Sequence, residues 1–215
     1  MYILIILIIF FLIGKSSFKN EGYSSESADY TPPKIYNGII TPKEADYIIK
    51  TASDEFKNSE TLGGYDQSIR KSKTAWLYPS DPVILGILER VCAITGSPVE
   101  NCEAMQVVEY SPGGYYNQHH DSCCDPNEKC DTFVKDSGQR EFTMLIYLND
   151  SFEGGETDFP NLKLKLKAPK YSGILFRPLA NGTSKCHPSA LHAGTPVKSG
   201  KKYVCNIWIR EKPFK

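Results

Sequence analysis

A histidine and an aspartate two residues apart, followed much later by another histidine, constrain the fold of this chain more than any other feature. His119 and Asp121 lie in the stretch YYNQHHD, and His192 follows 73 residues after His119. Residues two apart in an extended strand point to the same side, so His119 and Asp121 can reach one ion while His120 points the other way. Imidazole and carboxylate groups are metal ligands. The chain must therefore fold so that two distant segments meet at one metal ion.

The set of ligands predicts which metal is held. Two histidines and one carboxylate form the facial triad of non-haem iron(II) oxygenases, which leaves three positions of the ion for substrate and oxygen. An isolated His-x-Asp is common by chance, so the inference depends on His192 and on a lysine further along the chain. His120 and His187 are not expected to be ligands, although His187 stands beside Cys186 and could bind a stray metal ion.

Lys202, ten residues after His192, adds a buried cation to the predicted site. The segment KSGK predicts a turn, so we expect the next strand to run antiparallel beside the strand that carries His192. Lysine is costly to bury unless it meets an anion. A 2-oxo acid that chelates iron through its keto and C1 carboxylate groups would present its far carboxylate to this cation. Strand alternation places three further residues on the same face, Val204, Asn206 and Trp208.

Length and composition predict one globular domain, which we assign to residues 34–215. Of the 215 residues, 40% are hydrophobic and 23% are charged, as is ordinary for a globular protein. The 25 basic and 25 acidic residues give a formal net charge of zero, so the composition shows no sign of a nucleic-acid partner.

The first fourteen residues, MYILIILIIFFLIG, form an almost wholly apolar leader. This run is shorter than the roughly 20 residues of a membrane-spanning helix and closer to the apolar region of a signal peptide. A signal-anchor, slightly favoured, and a cleaved signal peptide both remain open, and a buried core helix is a third alternative. Residues 15–33 are polar and predict a linker. We therefore expect a membrane-anchored protein or a protein in the lumen of the secretory pathway.

Seven cysteines agree with a secretory compartment. The segment CCDPNEKC, with Cys123, Cys124 and Cys130, allows disulfides, free thiols or a structural zinc site, although adjacent cysteines are poor tetrahedral chelators. The odd number leaves at least one cysteine free or paired between chains. Asn149 and Asn181 begin two glycosylation sequons, which would matter only in a lumen.

Two helices are expected at the start of the domain. Thr41 is a good N-cap, Pro42 suits the first helical position, and Glu44 completes a capping box. A second helix is expected to begin near Ser80 and to end at Gly96, with apolar residues at helical spacing between them.

From residue 102 onward the pattern changes to short strands separated by Gly and Pro turns. The segments AMQVVEY, FTMLIYLN, LKLKLK (residues 162–167), GILF and KYVCNIWIR each predict a strand. This succession is typical of an antiparallel sandwich or barrel. Residues 122–140 form a long polar loop beside the predicted metal, which we interpret as a lid.

Several motifs in a fixed order together resemble a known family. The segments YSPGGYYNQHHD, RxxTMLIYLND, GGETDFP, GILF and HAGTPVKSGKKYVCNIWIRE resemble the prolyl 4-hydroxylase branch of the 2-oxoglutarate/iron(II) dioxygenases, in particular the short membrane-leader forms of large DNA viruses. The resemblance covers residues 34–212. Two departures stand out: SCCDPNEKC follows His-x-Asp where the family often has an aromatic residue, and Tyr203 stands where tryptophan is common.

The resemblance implies a fold and a set of site residues. The fold is α+β, mainly β: a double-stranded β-helix (jelly-roll) core with supporting N-terminal helices. Fe(II) would be held by His119, Asp121 and His192, and Lys202 would bind the distal carboxylate of 2-oxoglutarate. The remaining implied roles are cosubstrate contacts for Tyr110 and Thr143 and substrate-pocket positions for Tyr116 and Trp208. Core packing remains an alternative for these aromatic residues.

The resemblance also implies a reaction. A 2-oxoglutarate- and Fe(II)-dependent dioxygenase would use O2 to hydroxylate peptidyl-proline in a proline-rich polypeptide, with release of succinate and CO2. L-ascorbate would restore iron that is oxidised in uncoupled turnovers. Two alternatives stay open: the same chemistry on a lysyl residue or a small molecule, and a non-catalytic jelly-roll binding module.

Overall fold

The structure is a computed structural model that describes residues 29–125 and 127–215. The predicted leader and the first part of the predicted linker, up to residue 28, lie outside the described residues. Tyr30, near the end of the linker segment, is buried and stacks on His187, so this end of the segment packs on the domain. Within the described ranges, no helix is both long enough and apolar enough to cross a membrane.

Helices α1 (Pro42–Ala52) and α2 (Pro82–Thr95) begin and end where local sequence signals place them. The hydroxyl of Thr41 accepts the N–H of Glu44, whose carboxylate accepts the N–H of Thr41, so the predicted capping box is confirmed. Asp81 is the N-cap of α2, and Gly96 ends the helix in the left-handed region at φ 73°. The sequence signals therefore predicted the start of α1 and both ends of α2 to within two residues.

The strands are short and follow one another closely. In chain order they are β1 (Lys34–Tyr36), β2 (Lys57–Asn58), β3 (Arg70–Lys71), β4 (Lys73–Leu77), β5 (Met105–Tyr110), β6 (Tyr115–His119), β7 (Arg140–Tyr147), β8 (Phe152–Gly154), β9 (Thr157–Phe159), β10 (Leu164–Leu166), β11 (Gly173–Phe176), β12 (His192–Gly194), β13 (Val197–Gly200) and β14 (Lys202–Arg210). A short helix, α3 (Glu128–Val134), lies inside the segment that we predicted to be a loop at residues 122–140. Asn127 caps this helix by accepting two backbone N–H groups.

Most of these strands form two antiparallel sheets, as expected for a jelly roll. In the part of the chain that the structure describes, the larger sheet has the order β1-β11-β7-β14-β5-β4-β2, and the smaller has the order β10-β9-β12-β6-β3. Helices α1 and α2 pack on the outer face of the larger sheet around Ile48, Ile84 and Leu88. A second apolar cluster lies between the sheets, where the ring of Phe159 meets the ring of Phe176 edge to face at 5.2 Å. The predicted jelly-roll core with supporting N-terminal helices is confirmed.

The predicted neighbour of β14 is wrong. This strand pairs with β5 and β7 in the larger sheet, whereas β12, which carries His192, pairs with β6 and β9 in the smaller sheet. Between them the chain forms β13, which pairs with β8. The chain thus crosses from one sheet to the other before β14 begins, and Lys202 faces His192 across the interior.

The strand predicted for LKLKLK is shorter than its alternation indicates. Residues Pro160–Leu162 form a 3-10 turn, and Lys163 adopts a left-handed conformation at φ 52°, so that only β10 is extended. The alternation of half-buried leucines with exposed lysines nevertheless continues through Leu166. The alternation of leucine and lysine therefore predicted which side chains are half-buried, but it overestimated the length of β10.

We expect Leu88→Ala to destabilise the domain by about 2–5 kcal/mol, because it opens a cavity between α2 and the larger sheet. Urea unfolding followed by far-UV circular dichroism measures the loss. Glu89→Ala, the next residue and exposed, is the matched control and should change stability by less than about 0.5 kcal/mol. Equal losses in the two variants would contradict this packing.

Candidate metal and cosubstrate site

The two strands that carry histidines place them directly opposite each other. In the antiparallel pair of β6 and β12, His192 is the register partner of His119, and the ring centroids are 4.2 Å apart. The Nε2 atom of His119 lies 3.6 Å from Oδ1 of Asp121, and Nε2 of His192 lies 3.8 Å from Oδ2. The three side chains can offer ligand atoms that all lie within 4.8 Å of one another. The structure thus brings together the three residues predicted as a triad.

Asp121 reaches this position by a route that strand alternation did not predict. Strand β6 ends at His119, and Asp121 lies in the bend that follows. The hydroxyl of Thr143 in β7 donates to Oδ2 of Asp121 at 2.7 Å, and Arg140 donates to the backbone carbonyl of Asp121 at 3.2 Å. Thr143, predicted as a cosubstrate contact, is therefore bonded to the carboxylate of the triad.

Both imidazoles are oriented by hydrogen bonds from their far side. Nδ1 of His119 lies 2.7 Å from the carbonyl oxygen of Asn117, and Nδ1 of His192 lies 3.0 Å from that of Ala190. A carbonyl can only accept, so each Nδ1 carries a proton, and in the neutral imidazole this leaves the lone pair on Nε2. Such outer bonds hold metal-ligating histidines in the required tautomer. The residues present therefore fit a divalent ion such as Fe(II).

The charges of the triad also favour a cation. Burial, together with the neighbouring His119, lowers the pKa of His192 to about 4, so its imidazole is neutral at physiological pH. Burial alone would raise the pKa of Asp121, but the interactions of its carboxylate with His192 and His119 hold that pKa below its usual range. The site thus combines the neutral imidazole of His192 with the carboxylate anion of Asp121.

Lys202 lies in the same cavity on the opposite sheet and is 3% exposed. Its Nζ donates to the carbonyl of Gly155 at 2.7 Å and lies 5.2 Å and 4.9 Å from the ring centroids of Tyr110 and Tyr147. No carboxylate among the described residues lies within salt-bridge distance of Lys202. Burial lowers the pKa of Lys202 to about 7, against an opposing effect of Glu156. A buried ammonium without an anion is suited to bind an anionic ligand.

Gly155 allows this lysine to approach. The residue has φ +66°, and a Cβ there would lie 3.1 Å from Cδ of Lys202 and 3.1 Å from a methyl group of Val197. A side chain at this position would therefore be strained and would crowd the lysine.

A cavity of about 450 Å³ connects the triad with Lys202. Lys202, Val204, Asn206 and Trp208 all line it, as their alternation in β14 predicts. The lining also includes Tyr110 and Tyr116 but not Thr143, which was predicted with them. The ring of Tyr116 stacks on that of His119 with 3.5 Å between centroids, so it packs against the triad as well as facing the cavity.

The domain matches known proteins in both sequence and structure. Residues 105–210 match the 2OG-Fe(II) oxygenase superfamily. A provisionally named prolyl 4-hydroxylase of Acanthamoeba polyphaga mimivirus is 42% identical over 192 residues, which cover 89% of this chain and 79% of that protein. The chain belongs to the prolyl 4-hydroxylase family of 2OG-Fe(II) oxygenases. The cosubstrate and the metal of this family are accordingly 2-oxoglutarate and iron.

A plant protein and a second viral protein, whose crystal structure is known, are also similar to this prolyl 4-hydroxylase family member. Prolyl 4-hydroxylase 1 of Arabidopsis thaliana is 31% identical, over 83% of this chain and 68% of that protein. The crystal structure of the viral collagen prolyl hydroxylase of Paramecium Bursaria Chlorella virus-1, in complex with 2OG, has a TM-score of 0.67 and 34% identity. It covers 83% of this chain and 95% of that chain.

A buried ion-pair network beneath the cavity of this prolyl 4-hydroxylase family member was not predicted from the sequence. Glu103 is 4% exposed and accepts two hydrogen bonds from Arg140, both at 2.7 Å, and one from Arg210 at 2.6 Å. The guanidinium of Arg140 lies 3.4 Å from the ring centroid of Trp208. Arg140 thereby links the floor of the cavity to the backbone of Asp121. Charged residues in or beside predicted strands could have indicated buried ion pairs. Their partners could not be identified, because the pairs join segments 37 and 107 residues apart.

Arg70 is a second residue that sequence reasoning missed. It is 5% exposed, lines the cavity, and places its guanidinium 4.7 Å from the ring centroid of Tyr116. Its Nε donates to the hydroxyl of Ser72 at 2.9 Å. It stands in a strand of only two residues, so no periodic pattern marked it as buried.

The cysteine cluster forms disulfides, and the zinc alternative is wrong. Cys123 is bonded to Cys130, and Cys124 is bonded to Cys186, so the cluster offers no thiolate. His120, Cys124 and Cys186 converge, but the disulfide removes two of the three ligands. The three cysteines that stay free are buried, which confirms that the odd number leaves a thiol over: Cys92, Cys102 and Cys205.

His187 is a structural histidine. It accepts the N–H of Ser189 at Nδ1, and its Nε2 lies 3.5 Å from the carboxylate of Asp29. It also stacks on Tyr30 with 4.4 Å between ring centroids. These contacts employ both ring nitrogens and leave none for a stray metal ion.

We expect Thr143→Val to weaken Fe(II) binding about 10–100-fold, because the carboxylate of Asp121 loses the donor that orients it. Anaerobic titration calorimetry with Fe(II) measures the dissociation constant. Thr143→Ser keeps the hydroxyl and is the matched control, expected to bind within about threefold of the wild type. Unchanged Fe(II) affinity in Thr143→Val would contradict the proposal that this hydroxyl orients the carboxylate of Asp121.

Proposed function

We propose that this protein hydroxylates peptidyl-proline at C4, with Fe(II) held by His119, Asp121 and His192. One oxygen atom of O2 replaces a C–H bond by C–OH, and the other enters succinate as 2-oxoglutarate loses CO2. The observation that carries the proposal is the convergence of the three ligand atoms at a cavity that also contains Lys202. Bound iron would supply the activation of O2 and the oxidation of the C–H bond.

The protein itself would bind and orient the cosubstrate. In our proposal the ammonium of Lys202 binds the distal carboxylate of 2-oxoglutarate, and Tyr110 lies against it in the same cavity. The low dielectric of the buried site strengthens this charge-assisted contact. The keto and C1 carboxylate groups would then extend toward the triad on the facing sheet.

In our proposal a proline-rich polypeptide binds at the mouth of the cavity. Leu62, Ile69 and Trp76 line this mouth, and their side chains are 56%, 40% and 41% exposed. Extended proline-rich segments dock on aromatic and apolar grooves and lose little conformational entropy on binding. Deeper in the cavity, Trp208 contributes to the lining, and its buried Nε1–H finds no acceptor within the described residues. The names of the relatives support proline as the target.

We further infer that L-ascorbate supports turnover and that the enzyme works in the secretory pathway or is anchored to its membrane. Ascorbate would reduce iron that is oxidised when 2-oxoglutarate is consumed without substrate. The apolar run of residues 1–14 and the two disulfides support an oxidising compartment.

In such a compartment we expect a glycan on Asn181. The side-chain amide of Asn149 donates to Ser151 and to the carbonyl of Lys201, and its oxygen accepts the N–H of Tyr203. A glycan on Asn149 would disrupt these bonds. Asn181 makes weaker side-chain contacts, at 3.3–3.4 Å to Thr31.

Proline-rich peptides incubated with the enzyme, Fe(II), 2-oxoglutarate, O2 and ascorbate should gain about 16 Da on proline, with one succinate formed per hydroxylation. Mass spectrometry locates the oxygen, and a coupled assay measures succinate. His119→Ala and Asp121→Ala should abolish both products. Succinate without oxidised peptide would favour a lysyl or small-molecule substrate. Wild-type turnover in either variant would contradict the assignment of His119, Asp121 and His192 as iron ligands.

The affinity for 2-oxoglutarate should fall as pH rises above about 7, because Lys202 binds the dicarboxylate only when protonated and its pKa in the free enzyme is about 7. Titration of the Mn(II)-loaded enzyme from about pH 6 to about pH 9 measures this dependence. Lys202→Met should bind 2-oxoglutarate weakly at every pH, so its deficit relative to the wild type should shrink as pH rises above about 7. Lys202→Arg keeps the charge at all these pH values and should bind without the pH dependence. A flat wild-type profile would contradict the assignment.

A further inference from the structure

We propose that the disulfide between Cys124 and Cys186 positions Asp121 for iron binding, and that its reduction by a dithiol weakens that binding. This inference rests on the proposed iron site and adds two positioning residues to it. The cysteine cluster that departs from the family pattern then has a function of its own, because it holds a metal ligand in place.

Asp121 is held by side chains of β7 and not by strand pairing, so a further support adds to its position. His119 and His192 belong to paired strands, but Asp121 follows the end of β6 and lies in a bend. The contacts described above from Thr143 and Arg140 fix one carboxylate oxygen and one backbone carbonyl. The chain after Asp121 turns away into the loop that leads to α3.

The Cys124–Cys186 disulfide joins the two segments that carry ligands. Cys124 is three residues after Asp121, Cys186 is six residues before His192, and the bond spans a sequence separation of 62. Between Cys186 and His192, residues Pro188–Ala190 form a 3-10 turn whose Ala190 carbonyl accepts the Nδ1–H of His192. The bond therefore ties the bend after Asp121 to the turn that orients the second imidazole.

The neighbouring disulfide provides a matched comparison. The Cys123–Cys130 bond has a sequence separation of 7 and joins the loop only to the start of α3, not to the segment of His192. The backbone of Cys123 is held independently of its sulfur, because the amide of Gln139 accepts its N–H at 3.0 Å and donates to its carbonyl at 2.7 Å. Loss of this bond should leave Asp121 in place.

The Cys124–Cys186 bond is open to redox partners. Both cysteines are partly exposed and line a cavity of about 460 Å³ outside the active site. A dithiol would reduce the bond by thiol–disulfide exchange: one thiolate attacks a sulfur to form a mixed disulfide, and the second thiol resolves it. Two electrons and two protons pass to Cys124 and Cys186, and the dithiol becomes a disulfide.

The test compares Cys124→Ser/Cys186→Ser with Cys123→Ser/Cys130→Ser by anaerobic titration calorimetry with Fe(II), after far-UV circular dichroism of each protein. We expect the first double variant to bind Fe(II) at least tenfold more weakly than the wild type, and the second to stay within about threefold. Wild-type protein treated with a dithiol, with the fold checked in the same way, should follow the first variant. If the first variant does not fold, dithiol-treated Cys123→Ser/Cys130→Ser replaces it, because Cys124–Cys186 is then the disulfide of the cluster that the dithiol reduces.

The outcomes separate this inference from the proposed function. If the wild type binds Fe(II) and both double variants bind it equally well, the positioning role is wrong and the iron site stands. An equal loss in both variants would also overturn it, because a general loss of loop order would then explain the effect. If the wild type binds no Fe(II), the proposed function itself fails.

A different observation carries a second inference: we infer that Cys92 and Cys102 form a third disulfide. Their sulfur atoms are 3.2 Å apart, and the residues are 4% and 7% exposed. Cys92 lies in the last turn of α2, and Cys102 follows the 3-10 turn Val99–Asn101 that leads to β5. With the two bonds already present, this pairing would leave Cys205, which is completely buried, as the one free thiol.

The bond would form during folding, before α2 closes over the sulfur atoms. The two thiols would give two electrons and two protons to the disulfide of a thiol oxidoreductase and become joined by an S–S bond. The product would fasten the end of α2 to the entrance of the larger sheet.

Peptide mapping of the protein secreted from an oxidising compartment tests the pairing. After alkylation without reduction, cleavage at Glu89, Glu100 and Glu103 separates the two cysteines. We expect residues 90–100 linked to residues 101–103, with only Cys205 alkylated. Recovery of Cys92 and Cys102 as alkylated peptides would overturn the inference.

Discussion

The register of one antiparallel pair determines the geometry of the site. Because His192 is the partner of His119 between β6 and β12, two residues 73 positions apart have their imidazoles side by side, with ring centroids separated by 4.2 Å. A slip of one residue in this register would turn one imidazole to the opposite face of the sheet. Backbone carbonyls then accept hydrogen bonds from Nδ1 of both histidines. The bend after β6 places the carboxylate of Asp121 beside the two imidazoles.

The interior that surrounds this pair holds several charges, and they are compensated in different ways. Glu103 is neutralised by two arginines, whereas among the described residues Lys202 contacts a backbone carbonyl and two aromatic rings and pairs with no carboxylate. Because the pKa of Lys202 is lower in the folded protein than the usual value of about 10.4, the unfolded chain binds more protons between about pH 7 and 10. Lys202 therefore opposes folding at neutral pH, and this opposition diminishes as pH rises. An anionic ligand would remove the penalty, so the lysine couples stability to ligand binding.

Local signals predicted those parts of the structure that local interactions determine. Thr41 with Glu44 caps α1, Gly96 ends α2, and alternation in β14 identified the face that lines the cavity. The strand beside β14 could not be found in this way, because the crossing through β13 depends on contacts between distant segments.

The types and spacing of the metal ligands could likewise be predicted from the sequence. The residues that hold these ligands in place could not. Thr143 was predicted as a cosubstrate contact and not as a support of Asp121, because its bond to Asp121 spans 22 positions. Arg140 with Glu103 and the Cys124–Cys186 disulfide join segments 37 and 62 residues apart. Single-residue patterns carry no information about such pairings, since each partner taken alone is an ordinary polar residue or thiol.

The most direct test of the account is the visible absorption that arises when Fe(II) chelates a 2-oxo acid, measured anaerobically so that no turnover occurs. We predict a band that requires both Fe(II) and 2-oxoglutarate, that is absent with Asp121→Ala, and that needs far more 2-oxoglutarate with Lys202→Met. A wild-type protein without this band, or an Asp121→Ala variant that retains it, would contradict the claim that these residues form one iron and 2-oxoglutarate site.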